Sequence, residues 1–212
     1  MEQQFWFDRW AKREIGFHMA APHPLLIKHF SRLALAANSH VLTPLCGKSL
    51  DLHWLLAQGC RVTGVELSEA AVKELFAELK LSPVVSAEGA LRRYQAGALT
   101  VFVGDLFALK AEQLAAVDAI YDRAALVALP QSMRGDYAQQ LLALSQSAPQ
   151  LIVTMEYDQS LQPGPPFAVS EAMVRGLYES HYAIELVERV AVEGGLKGLC
   201  PAEEAVWQLT PR

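Results

Sequence analysis

The sequence predicts an α/β fold in which a Rossmann-like, seven-stranded mixed sheet has helices on both faces. Short apolar runs rich in β-branched and aromatic residues alternate with helix-like stretches, a pattern typical of parallel βαβ units with right-handed crossovers. Two more strand-like runs follow a last helix near the C-terminus. They predict an antiparallel C-terminal hairpin, where a plain dinucleotide-binding domain has a sixth parallel strand.

Five runs form the predicted parallel part of the sheet, because each is short, apolar and bounded by polar or glycine residues. They are VLTPL at 41–45, CRVTGVEL at 60–67, LTVFV at 99–103, AIYD at 119–122 and LIVTMEY at 151–157. The predicted helices cover 49–58, 69–80, 134–147 and 169–180, and the closing hairpin comprises 182–193 and 203–209.

We expect a single domain of 212 residues, because the length and the 52% hydrophobic content suit one core and no linker divides the chain. Residues 41–212 form the predicted Rossmann-like core, and residues 1–40 a cover for cofactor and substrate. Within that cover, Trp6 and Trp10 lie four positions apart and so share one face of a helix. The segment therefore predicts an N-terminal helical lid.

Composition and charge exclude several classes of partner. The formal net charge of −5 disfavours nonspecific binding to nucleic acid or to an anionic membrane. No apolar run reaches the roughly 18 residues of a membrane helix, and no signal-peptide pattern is present, so we expect a cytoplasmic protein. The cysteines and histidines lack metal-ligand spacing, which predicts no metal and no disulfide framework. A monomer is the expected state.

The carboxyl ends of the predicted parallel strands carry polar or glycine residues, and ligands of open α/β sheets bind at that edge. Glu66 ends the second strand, 19 positions after Gly47, which is close to the offset at which an acid meets a ribose diol. The alternative is a solvated helix N-cap beside Ser68, although Glu is a poor cap. We therefore assign Glu66 to a ribose.

The loop at 44–49 favours S-adenosylmethionine among the nucleotides. A phosphate loop requires a glycine where Leu42 stands, and a dinucleotide fingerprint requires three glycines where only Gly47 is present. A less charged nucleoside with an amino-acid tail suits this loop, because Gly47 lets it approach the helix that follows. Lys48 is then a first-turn surface residue and Ser49 a polar group at the helix start.

Two further polar residues follow the third and fourth predicted strands. Asp105 has two open interpretations, which are accepting a hydrogen bond from the adenine amine and capping the segment that follows. Arg123 provides an always-charged guanidinium, which suits a carboxylate or an anionic sulfur. Its alternative role is a structural ion pair with Asp122 or Glu156.

Several motifs together resemble the thiopurine S-methyltransferase family, and more closely its bacterial members than the animal enzymes. They stand in the family's order, cover about residues 5–180 and are jointly highly specific. They are W-x-x-x-W followed by IGFH at 15–18, PLCGKSLD at 44–51, GVELSE at 64–69, YDRAALVAL at 121–129 and EYDQ…PGPPF at 156–167. The segment EGGLKGLC at 193–200 lacks the charged pattern of the animal members.

The resemblance implies a class I methyltransferase that uses S-adenosylmethionine and releases S-adenosylhomocysteine. It implies that Trp10 packs against the cofactor and that the main chain of Leu45 contacts it. It also places Glu66 on the ribose and Arg123 near both the methionine end and the acceptor sulfur, where Arg123 is the catalytic candidate. Phe17 would cover the acceptor.

The expected activity is methyl transfer to thiopurines and similar aromatic or heterocyclic thiols. Methylation of selenium and tellurium oxyanions, and hence selenite and tellurite resistance, is an expectation at the level of the family. A nicotinamide-dependent oxidoreductase is one alternative, since it shares the acid after strand two, but the glycine triplet and a clear Tyr–Lys or His pair are missing. A non-catalytic nucleoside-binding module is the other alternative.

Overall fold

The computed structural model describes residues 3–212, in which nine strands form one mixed sheet. The first strand is buried along its whole length and the second along most of it. In chain order the strands are β1 His40–Thr43, β2 Arg61–Glu66, β3 Val84–Glu88, β4 Leu91–Ala96, β5 Leu99–Val103, β6 Ala119–Arg123, β7 Gln150–Tyr157, β8 Tyr182–Ala191 and β9 Ala202–Pro211.

Six α-helices accompany this sheet in the described part of the chain, and three of them begin at a serine whose hydroxyl accepts a backbone N–H of the first turn. These N-caps are Ser49, Ser68 and Ser170. The helices are α1 Gln3–Ala11, α2 Pro24–His29, α3 Leu50–Ala57, α4 Glu69–Glu78, α5 Gln131–Ser145 and α6 Glu171–Tyr178. Within residues 3–212, no helix has the length and apolar character needed to cross a bilayer.

The strand order is β3-β4-β5-β2-β1-β6-β7-β9-β8. Strands β5, β2, β1, β6 and β7 are parallel. The chain first moves outward from β1 to β2 and β5 and then returns to the other side of β1, where Val41 pairs with Ala119 of β6. This reversal opens a crevice beyond the carboxyl ends of β1 and β6, which is the usual ligand position in such sheets.

The sheet has nine strands and not the predicted seven, because a hairpin precedes β5. Strands β3 and β4 pair antiparallel, with Glu88 opposite Leu91 and with Gly89 at φ +66° in the turn. Val84 of the edge strand is 75% exposed, and β4 buries only Leu91 and Tyr94. A solvated hairpin lacks the continuous apolar run that identifies a buried strand. The strand count is therefore corrected, while the predicted fold class is confirmed.

Apolar side chains fill both faces of the sheet, as the sequence predicts. On one face the core includes Tyr137 of α5 and Tyr178 of α6. On the other face it includes Leu26 of α2, Leu55 of α3 and Leu75 of α4. Strand β9 lies between β7 and β8 and is antiparallel to both, which confirms the C-terminal hairpin.

Candidate active site

A cavity of about 780 Å³ opens at the carboxyl edge of the sheet, where the strand order reverses. Helix α1 and the segment that follows it form one wall of this cavity. The structure brings to it every residue that the sequence assigns to the site, namely Trp10, Phe17, Leu45, Gly47, Glu66, Asp105 and Arg123.

The loop after β1 turns sharply at the cavity. Leu45 at φ +45° and Gly47 at φ +53° both adopt left-handed backbone conformations, and the N–H of Cys46 donates to the Val65 carbonyl at 3.0 Å. A Cβ on Gly47 would lie 3.2 Å from Cζ2 of Trp10. Glycine therefore avoids the cost of the left-handed backbone conformation and leaves room for the close approach of the indole ring.

Glu66 lies at the end of β2 and is only 6% exposed. Its Oε2 accepts from the N–H of Gly47 and its Oε1 accepts from the N–H of Ser68, each at 2.8 Å. Burial raises the pKa of this carboxyl, while hydrogen bonds from Ser68 and Gly47 act in the opposite direction. Ser68 itself caps α4. Glu66 is thus a buried acid that faces a cavity, and the solvated N-cap alternative is excluded.

Asp105 follows β5 and makes two side-chain contacts. Its Oδ1 accepts from the N–H of Phe107 at 3.0 Å and so caps the short 3-10 turn Leu106–Ala108. Its Oδ2 accepts from Nε2 of Gln3 in α1, also at 3.0 Å. The capping contact is present, and the second oxygen ties α1 to the cavity edge.

Arg123 ends β6, and its Nη1 donates to the backbone carbonyl of Phe17 at 3.1 Å. The structural ion pair considered from the sequence is not formed, since Glu156 pairs with Arg189 at 2.6 Å and Asp122 turns away from the cavity. Among residues 3–212, no carboxylate forms an ion pair with Arg123. Its positive charge therefore has no protein counter-ion in the described part of the chain.

Asp122 is fully buried behind this position. Its Oδ2 accepts from the Tyr137 hydroxyl at 2.7 Å and its Oδ1 from the N–H of Leu126 at 3.1 Å. Burial raises its pKa to about 6, although both hydrogen bonds oppose the shift. The side chain holds the turn that follows β6 and does not reach the cavity.

The N-terminal segment covers the cavity with aromatic rings. Trp6 and Trp10 each lie 5.7 Å from Phe17 between ring centroids, in edge-to-face geometry. Arg13 pairs with Glu74 of α4 at 3.1 Å, which attaches the segment to the core. Residues 1 and 2 of the predicted cover at 1–40 lie outside the described residues.

Lys48 differs from its prediction as a surface residue, since it is only 8% exposed. Its Nζ lies 2.9 Å from Oε2 of Glu74 and 2.7 Å from Oε1 of Glu78. The hydrogen bond to Glu78 is the main cause that raises the pKa of the lysine. The loop thus packs against α4, a tertiary contact for which the local sequence carries no signal.

His18 and Glu204 are among the cavity residues that were not assigned from the sequence. His18 follows Phe17, and its pKa is lowered by burial and then by the charge of Lys48, which favours the neutral imidazole. Glu204 lies on β9 and pairs with His23 at 3.2 Å. His18 stands inside the IGFH motif, which could have identified it. Glu204 has an acidic neighbour, and alternation alone does not tell which of the two faces the cavity.

Comparison with known proteins decides the family. The sequence pattern of the family described as Thiopurine S-methyltransferase (TPMT) matches residues 1–211. The chain belongs to the thiopurine S-methyltransferase family. A thiopurine S-methyltransferase of Teredinibacter turnerae is 52% identical over 210 residues, which are 99% of this chain and 98% of the relative. One from Xanthobacter autotrophicus is 50% identical over 210 residues, 99% of each chain.

A solved structure shows the same fold at low sequence identity. The 1,6-didemethyltoxoflavin-N1-methyltransferase of Burkholderia thailandensis, with 1,6-didemethyltoxoflavin and S-adenosylhomocysteine bound, is 17% identical and has a TM-score of 0.68. The match covers 99% of this chain and 87% of that one. Family and fold together confirm the prediction of an S-adenosylmethionine-dependent methyltransferase. The nicotinamide-dependent oxidoreductase alternative is wrong.

Proposed function

We propose that this methyltransferase transfers the methyl group of S-adenosylmethionine to the sulfur of thiopurines and of similar aromatic or heterocyclic thiols. The observation that carries the proposal is a single cavity with aromatic walls. It joins the buried carboxylate of Glu66 to the guanidinium of Arg123, which has no counter-ion among residues 3–212. The names of the bacterial relatives support the same class of acceptor.

The residues around Gly47 fit the adenosyl part of the cofactor. An ionised carboxylate offers about four lone-pair positions, and Glu66 uses two of them for backbone N–H groups. The remaining positions suit the two hydroxyls of a ribose. Trp10 and the backbone of Leu45 provide the adjoining surface. Oδ2 of Asp105 accepts from Gln3, and its second lone pair suits the adenine amine.

Arg123 is the proposed catalytic residue at the acceptor end. S-adenosylmethionine, when bound, supplies a methyl group on a positively charged sulfur. Arg123 stabilises the anionic form of the acceptor sulfur, and its contact with the Phe17 carbonyl fixes the guanidinium. The rings of Phe17 and Trp6 exclude water. Holding the reacting atoms in line contributes up to about 7–11 kcal/mol in favourable systems, and an aromatic thiol needs little help to lose its proton.

The same guanidinium suits the oxyanions selenite and tellurite, and we extend the proposal to methylation of these metalloids as a second acceptor class. The proposal takes the monomer as the active unit, which gel filtration of the active protein tests.

Incubation with methyl-labelled cofactor and a panel of thiopurines, thiophenols, selenite and tellurite tests the proposal. Labelled S-methyl product from thiopurines is the expected result, together with calorimetric binding of S-adenosylhomocysteine. Binding without transfer to any acceptor would instead identify a non-catalytic nucleoside-binding module. Absence of binding would remove the assigned cofactor site.

Replacing Arg123 by methionine separates its role from a structural one. We expect kcat/KM for a thiopurine to fall about 10- to 100-fold, because a hydrogen bond to a charged group contributes about 1.5–3 kcal/mol. The loss should be largest at low pH, where the acceptor is hardest to deprotonate. Arg61→Met is the matched control, since Arg61 also donates to a backbone carbonyl, that of Asn38, outside the cavity. An unchanged pH–rate profile for Arg123→Met would remove Arg123 from the acceptor role.

A further inference from the structure

Glu204 is another charged side chain that lines the cavity, besides Arg123. Glu204 lies on β9, two strands away from Arg123 on β6. Arg123 pairs with Val153 of β7, and Val153 pairs with Val206 of β9. Since side chains alternate along a strand, Glu204 lies on the same face of the sheet as Val206 and Arg123. Strands β6 and β9 are about 10 Å apart, so a small aromatic acceptor between them can contact both charged groups.

One oxygen of Glu204 is held by a buried histidine. His23 is only 2% exposed, and its Nδ1 accepts from the N–H of Leu25 at 3.3 Å. That contact places the ring proton on Nε2, which lies 3.2 Å from Oε1 of Glu204. The carboxylate therefore accepts a hydrogen bond from a fixed, buried donor.

The position of His23 is itself fixed by the core. Its backbone N–H donates to Oδ1 of Asp51 at 2.7 Å, and the Tyr121 hydroxyl donates to Oδ2 of the same aspartate at 3.1 Å. Burial, followed by the charge of Asp51, raises the pKa of Tyr121 far above its ordinary value, so Tyr121 remains a donor. The result is a hydrogen-bonded chain that runs from β6 to β9 and orients Glu204.

The other oxygen of Glu204, Oε2, has no hydrogen-bond or ion-pair partner among residues 3–212. Its neighbour Glu203 is different, because it is exposed on the opposite face of β9 and lies 4.0 Å from Arg189. The Glu204 side chain is 25% exposed and lines a mostly apolar cavity. An acceptor that displaces water from this oxygen must therefore supply a donor in its place, because a buried carboxylate oxygen without one is costly.

We propose that Glu204 determines acceptor specificity by accepting a hydrogen bond from a ring N–H of a heteroaromatic thiol. The inference rests on the proposed function and deepens it. Arg123 faces the anionic sulfur, and Glu204 faces a ring nitrogen that keeps its proton after the thiol has lost its own. Purine thiols carry such an N–H on the five-membered ring, and benzenethiol carries none. The pair of opposite charges therefore orients the acceptor as well as selecting it.

Glu204→Gln tests this inference while preserving the contact with His23. The amide oxygen still accepts from Nε2, but an NH₂ group replaces the free oxygen, so a donor then faces the acceptor's N–H. We expect kcat/KM for 6-mercaptopurine to fall about tenfold or more. Rates with 9-methyl-6-mercaptopurine and benzenethiol should change less than about twofold, because neither offers that N–H. Glu203→Gln is the matched control and should leave all three rates unchanged.

The outcomes separate this inference from the proposed function. Failure of the wild type to methylate any of the three acceptors would overturn the proposed function and this inference with it. Methylation by the wild type, with equal losses for all three acceptors in Glu204→Gln, would overturn the inference alone. If the variant does not fold, the wild type still decides the question. It should use the 9-methyl acceptor about tenfold less efficiently than 6-mercaptopurine, and equal efficiency would contradict the assigned role.

Discussion

The most direct test of the cofactor site is Glu66→Gln. The carboxylate accepts from two backbone N–H groups, those of Gly47 and Ser68, at 2.8 Å. An amide has one acceptor oxygen, so its NH₂ group must face one of these donors. The apo protein loses a hydrogen bond to a charged group, about 1.5–3 kcal/mol, but it no longer buries a charge.

We expect Glu66→Gln to weaken the binding of S-adenosylhomocysteine more clearly than it lowers the stability of the apo protein. The substitution removes one or both oxygen positions that suit the ribose hydroxyls. Each lost hydrogen bond to a charge costs about 1.5–3 kcal/mol, and each 1.4 kcal/mol is about tenfold in Kd. We therefore expect the Kd measured by calorimetry to rise about 10- to 100-fold.

The pH dependence gives an independent readout for Glu66. Burial raises its pKa in the apo protein, so the protonated form is populated at higher pH than for an ordinary glutamate. Hydroxyl donors favour the ionised form. The affinity of the wild type should therefore fall as the pH is lowered through this raised pKa, and the affinity of Glu66→Gln should show no such fall.

Glu69→Gln is the control for this experiment, because Glu69 pairs with Lys73 and Arg92 outside the cavity. It should leave the Kd for S-adenosylhomocysteine unchanged. A Kd for Glu66→Gln within about twofold of the wild type, with a parallel pH dependence, would refute the ribose assignment and leave Glu66 a structural role.

Two further substitutions test the loop after β1 and the buried carboxyl of Asp122. Gly47→Ala should lower the melting temperature by about 2–8 °C and weaken S-adenosylhomocysteine binding, because a positive φ costs alanine about 1–2 kcal/mol and the new Cβ would press on Trp10. Gly135→Ala, in α5 with no atom within 4 Å of the added Cβ, should not lower it, and similar melting of both variants contradicts the argument. Asp122→Asn should become more stable relative to the wild type as pH rises from about 4 to about 6, by up to about 3 kcal/mol in urea denaturation. The sign follows because the pKa of Asp122 is raised from 3.8 to about 6 in the folded protein. Between these values the carboxyl ionises in the unfolded chain but stays protonated in the folded one, so the wild type loses stability as pH rises. A pH-independent difference in stability between the two proteins would disprove this.

The sequence predicts the centre of the fold better than its edges. Strands β1, β2, β5, β6 and β7 are buried on both faces, and continuous apolar runs identify such strands. The hairpin of β3 and β4 is half solvated and was missed for that reason. Helix α5 begins at Gln131, three residues before its prediction, because Pro130 provides the extended residue that precedes the first turn.

The residues of the candidate site could likewise be predicted only in part. Residues at strand ends, such as Glu66 and Arg123, could be found because the topology of a parallel sheet brings those ends together. Lys48 and Glu204 could not, since their environment depends on partners far along the chain. Lys48 contacts Glu78 thirty positions later, and Glu204 contacts a histidine 181 positions earlier. No local pattern encodes either pairing.

The contacts of the N-terminal segment connect the two ends of the cavity. Trp10 packs on Gly47 beside Glu66, and Phe17 supplies the carbonyl that holds Arg123 at the proposed acceptor end. Since the rings of Trp10 and Phe17 also contact each other, displacing the indole disturbs the residue that holds the guanidinium of Arg123. If the cofactor packs on Trp10 as proposed, it also stabilises the segment whose carbonyl holds Arg123. We therefore expect the cofactor to bind before the acceptor, because the proposed acceptor cation is positioned by that segment.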